Sequence, residues 1–530
     1  MRLTSSNCDN VRVARALYHP NPHLIGHSPR RILPRARALA GMVILSLAAA
    51  LPASAKTPAP DCPDCNLILI SLTNISAGRM SLYGYRRQTT PHLDRWAESA
   101  LVFENSFTPA SWTLPVGVSL FTSLQPYSHQ VLCRDMQNSL SPDLKTLPEV
   151  LRDHGYRTAA FTGGLDYYTD FSHMRGFQDT VDNEDFAGFK KTIPQAKAWL
   201  AKNASRKFML FLHGYDAHCP FYPAPEYQGL FTDPKAKSPL ADPKSCIRNF
   251  ASPEPGHEFG PIFKATACSG FRTQCSSGPE VSFTSRDADY LSDMYDEKLV
   301  EIDALVGDFL ESLDAQLLEK TVVVVLSEHG EMFAKHGRFS RSANMRGTLY
   351  DDVTHVPLLM RFPAGPHQRV SGLAQIIDVM PTVLQVLGLE MPRQRQGAAL
   401  LPALLFGAGP NRYVYAGASY APHPIYYHYG SDNDMIRDAH WKLIWELSFP
   451  FTSGDRPVRG PSRQAVELYD IQNDPQELND LAKTQPAEVK DLKEKLMAWR
   501  DETRRPLGPA PATRAIPKKL LDHARERGYW

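Results

Sequence analysis

Polar side chains stand at the ends of three apolar runs in this sequence. The first run ends at Ser71-Leu72-Thr73-Asn74, the second leads into residues 213–218, and the third ends at Ser327-Glu328-His329-Gly330-Glu331. If the runs are parallel strands, their carboxyl ends gather at one edge of a sheet, where ligands and catalytic groups usually lie. The hydroxyl, imidazole and carboxylate groups at these ends predict acid–base or metal-assisted chemistry.

A fourth polar segment, residues 111–115, comes just before an apolar stretch with helical spacing. Pro115 in the first turn, with Thr113 ahead of it, predicts a helix start with Thr113 as the N-cap residue. A hydroxyl there faces the positive end of the helix dipole, which also favours an anionic ester. Two interpretations stay open: Thr113 is the nucleophile of an ester hydrolase, or Thr113 only caps the helix.

The elements that would position these groups are short and strongly apolar. Four runs, at 66–72, 207–213, 321–327 and 356–360, are almost continuously apolar, as in strands buried on both faces of a largely parallel sheet. A stretch at 287–313 repeats apolar residues with helical spacing. Strands alternating with helices predict a doubly wound α/β fold with a largely parallel sheet.

Composition divides the chain into a leader, two domains and a tail. We predict a catalytic α/β domain over residues 56–390, with a Cys-, Pro- and Gly-rich insertion at 222–285 that forms a disulfide-pinned loop. A smaller C-terminal α+β subdomain is predicted over 391–505, with short strands near 413–415, 441–447 and 467–471 and a helix near 489–500. Residues 506–530 form a basic, Pro-rich tail.

The first 55 residues have the composition of a secretory signal. Four arginines at 30, 31, 35 and 37 precede an uncharged apolar run that ends in small residues at Ala55. The run is too short to span a bilayer as a helix. We therefore predict an exported protein, periplasmic or secreted, with no membrane span after the signal is removed. In an oxidising compartment, Cys62 and Cys65 predict a local disulfide.

The charge distribution excludes one large class of partner. The whole chain carries +1, with 58 basic and 57 acidic residues, but the leader alone holds seven arginines and one aspartate. The rest is therefore slightly acidic and has no basic stripe, so nucleic-acid binding is not expected.

The order of several segments resembles the sulfatase family of the alkaline-phosphatase superfamily. The strings that carry the resemblance are NLILISL, SLYGYRRQTTPHLDRWAESALVFENSFTPASWTLP, FLHGYDAHCPFY, SEHGEMFAKHG, GTLYDDVTHVPLLMRFP, DVMPTVLQVLGL and ELYDIQNDPQELNDL. They extend from Asn66 to about Asp501, nearly the whole mature chain. The resemblance implies an α/β hydrolase for anionic esters of small molecules, glycans or lipids. The oligomeric state does not follow from it.

The nucleophile position departs from the family pattern. Family members have Cys or Ser, any residue, Pro, Ser and Arg, and the first residue is oxidised to formylglycine. Here the string is Thr113-Leu114-Pro115-Val116-Gly117. Threonine cannot become formylglycine, so none is expected. Related transferases use threonine directly on phosphorus, and the resemblance therefore implies Thr113 as the nucleophile.

The metal site implied by the resemblance is also altered. An acidic pair after the first strand of the family is replaced by two neutral residues, and the later pair keeps one carboxylate and one imidazole. The resemblance implies a weakened site for Ca, Mg, Mn or Zn. Its ligands would be Thr73, Asn74, Thr113, Glu328 and His329.

The residues implied to face the substrate are also only partly retained. His218 and His336 match family histidines and are implied to be catalytic, and His218 and Arg346 are implied to bind the anion. Gly117 stands where the family has an arginine. The sequence therefore predicts a hydrolase of sulfate or phosphate/phosphonate esters. The alternative is a catalytically impaired relative that serves as an exported binding protein.

Overall fold

The computed structural model describes most of the chain after the leader. The described residues are 61–132, 139–183, 186–233, 235–236, 238, 245–248, 250–251, 262–269, 280–333, 335–339, 349–401, 409–417, 429–450, 452–453, 456–457, 463–505 and 507–508. The predicted leader and nearly all of the predicted tail lie outside them. Within the described residues, none of the helices has the length and apolar character needed to cross a membrane.

The strands and helices are numbered here in chain order. The strands are β1 Asn66–Leu72, β2 Leu101–Phe107, β3 Arg157–Phe161, β4 Asp179–Val181, β5 Phe208–Gly214, β6 Ser245–Arg248, β7 Phe250–Ala251, β8 Ile262–Ser269, β9 Glu280–Thr284, β10 Thr321–Ser327, β11 Arg338–Phe339, β12 Leu358–Arg361, β13 Gln368–Gln375, β14 Val414–Gly417, β15 Tyr429–Arg437, β16 Trp441–Pro450, β17 Thr452–Ser453, β18 Arg456–Pro457 and β19 Arg463–Asp470. The helices are α1 Pro91–Trp96, α2 Thr113–Thr122, α3 Pro126–His129, α4 Leu147–Asp153, α5 Phe189–Asn203, α6 Ser285–Glu311, α7 Ala315–Leu318, α8 Asp351–Thr354, α9 Val379–Val386 and α10 Pro486–Thr503.

An eight-stranded sheet forms the centre of the larger domain, in the order β13-β2-β12-β10-β1-β5-β3-β4. The five strands from β10 to β4 run parallel, whereas β12 is antiparallel to both of its neighbours. The predicted largely parallel sheet is confirmed, and the four apolar runs are strands β1, β5, β10 and β12. All seven residues of β1, β5 and β10 are buried, which explains why the runs show no polar alternation.

Hydrophobic cores lie on both faces of this sheet. Leu67 and Leu69 of β1 pack into one core with α2 and α9, and Ile68 and Ile70 pack into the other with α5 and α6. Complete burial of one such side chain stabilises the fold by about 1.5–3 kcal/mol. Because helices cover both faces, the fold is doubly wound, as the sequence predicted.

The C-terminal part contains a four-stranded antiparallel sheet, ordered β14-β15-β16-β19. Helix α10 packs on it through Leu492, Leu496 and Trp499. The sequence predicted three of these strands and the helix but missed β15, because that strand carries Asn433 and Asp434, which are buried polar residues. The boundary at residue 390 stays a prediction.

The cysteine-rich insertion is more ordered than the predicted loop. Its described residues include β6, β8 and β9, which form a three-stranded antiparallel sheet. The predicted disulfide between Cys62 and Cys65 is present, with Cα atoms 5.4 Å apart.

A buried ion cluster joins the C-terminal sheet to helix α8. The Nζ atom of Lys442 on β16 lies 2.7 Å from Asp351 at the start of α8 and 2.6 Å from Glu477, and Arg437 also contacts Asp351. Burial would raise the pKa of Asp351, but Arg437 and Lys442 hold it well below its usual range. This stabilisation is fully present above about pH 4, the pKa of Asp in the unfolded chain, and is lost as the pH falls below that value.

Removing the lysine of this cluster should destabilise the fold strongly. Lys442→Met leaves Glu477 buried without its cation, so we expect the free energy of unfolding to fall by about 3–5 kcal/mol in urea denaturation. Lys145→Met, which removes the exposed pair with Asp153, should change it by less than about 1 kcal/mol. Similar losses in the two variants would contradict this reading.

Candidate active site

The polar strand ends meet at one edge of the central sheet. Strand β1 lies between β10 and β5, and the register pairs Leu72 with both Ser327 and Gly214. The residues that follow these strands are therefore neighbours. Thr73, Asn74, Glu328 and His329 come together there, and all four side chains are buried.

Thr113 reaches the same edge from the first turn of α2. Its hydroxyl oxygen lies 3.3 Å from Nε2 of His329. The prediction that Thr113 is the N-cap residue is wrong, because Trp112 has the extended backbone of the cap and Thr113 is the first helical residue. Because Trp112 occupies the cap position, N-capping does not explain a threonine at position 113.

The hydrogen bonds of His329 orient its imidazole towards Thr113. Its Nδ1 atom lies 3.1 Å from the carbonyl oxygen of Gly330. Because a carbonyl only accepts, Nδ1 carries the proton in the neutral ring and Nε2 is an acceptor that faces the Thr113 hydroxyl, which also interacts with Glu328. A hydroxyl beside a base that a third group orients is the arrangement of an activated nucleophile.

Glu328 accepts hydrogen bonds from three hydroxyl groups. Ser71 donates to Oε1 over 2.9 Å, Tyr167 also donates to Oε1, and Thr73 donates to Oε2 over 3.3 Å. Nε2 of His213 lies 3.5 Å from Oε1. Burial raises the pKa of Glu328 to about 8, although the bonds from Tyr167 and Ser71 oppose this rise.

His213, on β5, links Gly163 and Thr73 through hydrogen bonds of its imidazole. Its Nδ1 accepts the backbone N–H of Gly163 over 3.3 Å, so the proton of the neutral ring sits on Nε2. Nε2 lies 2.8 Å from the Thr73 hydroxyl and donates to it, which leaves the Thr73 hydrogen for Glu328. Burial lowers the pKa of His213 to about 3, so the ring is neutral at physiological pH.

Tyr167 occupies space that the glycine at position 117 leaves open. A Cβ atom on Gly117 would lie only 2.7 Å from the Tyr167 hydroxyl oxygen. Tyr167 is buried and packs against the rings of Phe211 and His213. Sequence reasoning missed both Tyr167 and the role of His213. The available signals were Gly117 in place of a large residue and His213 at the end of a buried strand.

Of the two polar side-chain atoms of Asn74, one is hydrogen-bonded within the described residues and the other is not. Its Nδ2 donates to Glu331 over 2.7 Å, while its buried Oδ1 has no hydrogen-bond partner among the described residues. The residue has a φ of 63°, and Tyr295 donates to its backbone oxygen. Asn74 therefore offers one neutral oxygen to a ligand.

The donors at this edge do not fit a hard divalent cation. Glu328 is the one carboxylate among the five predicted ligands, and three hydroxyls already donate to its roughly four lone-pair positions. Nε2 of His329 is engaged by Thr113. Such cations need several free oxygen ligands with negative charge.

A separate group of possible ligand atoms lies at the surface of the described part of the chain. His92, Asp308 and Glu311 have ligand atoms within 4.8 Å of one another, but they are partly or fully exposed. Exposed acidic groups are common without an ion, so this group is no substitute for the predicted site.

The remaining predicted residues lie elsewhere or outside the described residues. His218 packs on Phe186 and Tyr215, and Tyr215 in turn contacts His213. The ring of His336 stacks on Tyr350, with centroids 3.8 Å apart. That stacking places His336 beside the C-terminal sheet. Arg346 lies outside the described residues. The catalytic roles of His218 and His336 and the anion-binding role of Arg346 stay predictions.

Known proteins share this architecture over most of the chain. A family model described as Sulfatase matches residues 65–389, and one described as N-sulphoglucosamine sulphohydrolase, C-terminal, matches residues 336–502. Arylsulfatase K of Xenopus laevis is 24% identical over 474 residues, which cover 82% of each protein. N-acetylglucosamine-6-O-sulfatase of Bacteroides thetaiotaomicron is 22% identical over 513 residues, covering 83% of this chain and 86% of that protein.

Solved structures show the same fold. Phosphonate monoester hydrolase of Agrobacterium radiobacter superimposes with a TM-score of 0.60 at 18% identity, covering 83% of this chain and 96% of that chain. A protein solved in complex with its substrate D-glucosamine-2-N,6-O-disulfate gives a TM-score of 0.60 at 20% identity, covering 83% and 98%.

Proposed function

Because the chain belongs to the sulfatase family, a family of sulfuric ester hydrolases, we propose that it hydrolyses sulfate or phosphate/phosphonate esters through Thr113. The observation that carries this proposal is the contact of 3.3 Å between the Thr113 hydroxyl and Nε2 of His329. His329 is held by Gly330 in the tautomer that accepts a proton. These two side chains supply a nucleophile and its base without an oxidised residue.

The reaction proceeds in two displacements at sulfur or phosphorus. In the first, the Thr113 oxygen forms a bond to the central atom as the bond to the organic oxygen breaks, and the Thr113 proton passes through His329 to the leaving alcohol. In the second, water attacks the central atom, gives its proton to His329 and releases the inorganic anion. The Thr113 oxygen leaves, takes that proton back from His329 and restores the enzyme.

The start of α2 favours the anionic end of such a substrate. The N-terminal backbone N–H groups and the positive dipole end of a ten-residue helix lie at Thr113. His218 and Arg346 are the proposed additional anion-binding residues. The comparison proteins that act on glucosamine sulfates favour a glycan ester as substrate. We further propose that the mature protein is exported.

A covalent intermediate on Thr113 is the expected sign of this mechanism. Rapid acid quenching during turnover of a sulfate or phosphonate ester panel should yield a Thr113 peptide whose mass carries the transferred group. The Thr122 peptide from the other end of α2 is the internal control. Turnover with the modified group found on another residue would contradict the assignment of Thr113.

A second candidate function is binding without turnover. It is favoured by the burial of Thr113, which exposes 2% of its surface, and by the occupied hydrogen-bonding positions of Glu328. This candidate predicts that esters raise the unfolding midpoint while the whole panel remains unhydrolysed. Turnover that depends on Thr113 would exclude it.

A further inference from the structure

Sulfatase-family proteins generally use a divalent metal. In this chain, hydrogen-bond donors surround Glu328, the one carboxylate among the predicted metal ligands. We propose that a closed hydrogen-bond cluster takes the place of a resident cation, with Tyr167 as its positioning residue. The cluster consists of Glu328, Ser71, Thr73, Tyr167 and His213. The cation and spectroscopic tests of this inference are independent of the proposed function, and only its kinetic test rests on it.

The first step of the argument is the direction of the hydrogen bonds. Gly163 fixes the His213 proton on Nε2, His213 donates to Thr73, and Thr73 therefore donates to Glu328. Ser71 and Tyr167 donate to the other carboxylate oxygen. Three hydroxyl hydrogens of the cluster therefore point towards Glu328, and the His213 proton points towards Thr73. A cation at Glu328 would have to break several of these bonds.

The second step is steric. Tyr167 reaches Glu328 through the volume beside Gly117, where even a methyl group would lie 2.7 Å from the hydroxyl oxygen. The ring is held between Phe211 and His213, with centroids 5.2 Å and 4.6 Å away. The hydroxyl therefore has little room to withdraw. Residue 117 and Tyr167 form a matched pair, and a larger residue at 117 would expel the hydroxyl.

The third step connects the cluster to the proposed nucleophile. Glu328 precedes His329 directly, and the His329 backbone oxygen is held by Ser327 over 3.1 Å. Fixing the Glu328 side chain between β1 and β10 fixes the backbone that aims Nε2 of His329 at Thr113. Tyr167 thus acts on Thr113 through two intervening residues and does not touch the reacting atoms.

The chain offers a closely matched control for Tyr167. Tyr127 is also a fully buried tyrosine, and its hydroxyl also donates to a buried carboxylate, that of Asp434 near the C-terminal sheet. Tyr167→Phe and Tyr127→Phe therefore remove the same kind of hydrogen bond at different places. We expect each to lower the unfolding midpoint by a few degrees.

Cation binding is tested first, on chelator-treated full-length mature protein. We expect no calorimetric binding of Mn, Mg, Ca or Zn in the micromolar range, and the same unfolding midpoint with and without EDTA. Micromolar binding of any of the four that is lost in Glu328→Gln would overturn the proposal, whether or not the protein turns over an ester.

The positioning role is tested by the imidazole nitrogen NMR signals of His213 and His329. Tyr167→Phe should shift both sets of signals, while Tyr127→Phe should leave them in place. In an active preparation, Tyr167→Phe should also lower kcat about tenfold or more with little change in KM. Equal behaviour of the two variants in the NMR spectra would overturn the role assigned to Tyr167.

Discussion

Thr113→Ala should reduce turnover of the best ester substrate at least 10³-fold, because it removes the atom that forms the intermediate. Thr113→Ser keeps a hydroxyl at the same place and should retain part of the activity. Binding of the substrate should survive both changes, since the anion also meets the start of α2. The measurement is steady-state kinetics of the purified variants, together with ligand-induced shifts of the unfolding midpoint.

A second threonine of the same helix is the control for this result. Thr122 is also buried, and among the described residues its hydroxyl donates only to the backbone oxygen of Val118. Thr122→Ala should therefore lower stability as much as Thr113→Ala but leave kcat within about twofold. If Thr113→Ala keeps full turnover while Thr122→Ala behaves as expected, the nucleophile is another group.

His329→Ala should lower kcat by about 10²–10⁴-fold with a much smaller effect on KM, as expected for loss of a general base. The imidazole that is removed is the group 3.3 Å from the Thr113 hydroxyl. Added imidazole should restore part of the turnover, because it can enter the vacated volume and accept the same proton. The measurement is the dependence of kcat on imidazole concentration.

The variant His329→Ala also distinguishes a role of His329 as a base from a role as a metal ligand. If His329 is a base, excess Mn or Zn should leave the residual rate of His329→Ala unchanged. His154→Gln alters a histidine whose ring bonds, among the described residues, to the Val150 oxygen, and it should have normal kinetics with and without imidazole. Rescue by a cation rather than by imidazole would contradict the role of base.

Several residues of the candidate site could be predicted because they follow buried strands. Thr73, Asn74, Glu328 and His329 come directly after continuous apolar runs, and neighbouring parallel strands bring such residues together. Thr113 was predictable from the helix start that Pro115 marks. The predicted N-cap position was wrong by one residue, since Trp112 and not Thr113 is the cap. These predictions depend only on local pattern and on strand direction.

Tyr167 and Gly117 could not be paired from the sequence, since 50 residues separate them and neither lies in a periodic pattern. Their relation is a contact through space that exists only when α2 and the segment after β3 pack together. Strand β15 was missed for a related reason. Its polar residues are buried by tertiary contacts, such as the bond from Tyr127 to Asp434, which local propensity does not encode.

By itself, the sequence determined the doubly wound core and the family, because strands that are buried on both faces of a sheet require continuous apolar runs. It also predicted that Thr113 does not become formylglycine. Only the tertiary structure decided what surrounds Glu328. Hydroxyl donors from β1, the residue after it and the segment after β3 point at Glu328, and their distances and directions are set by packing between elements far apart in the chain.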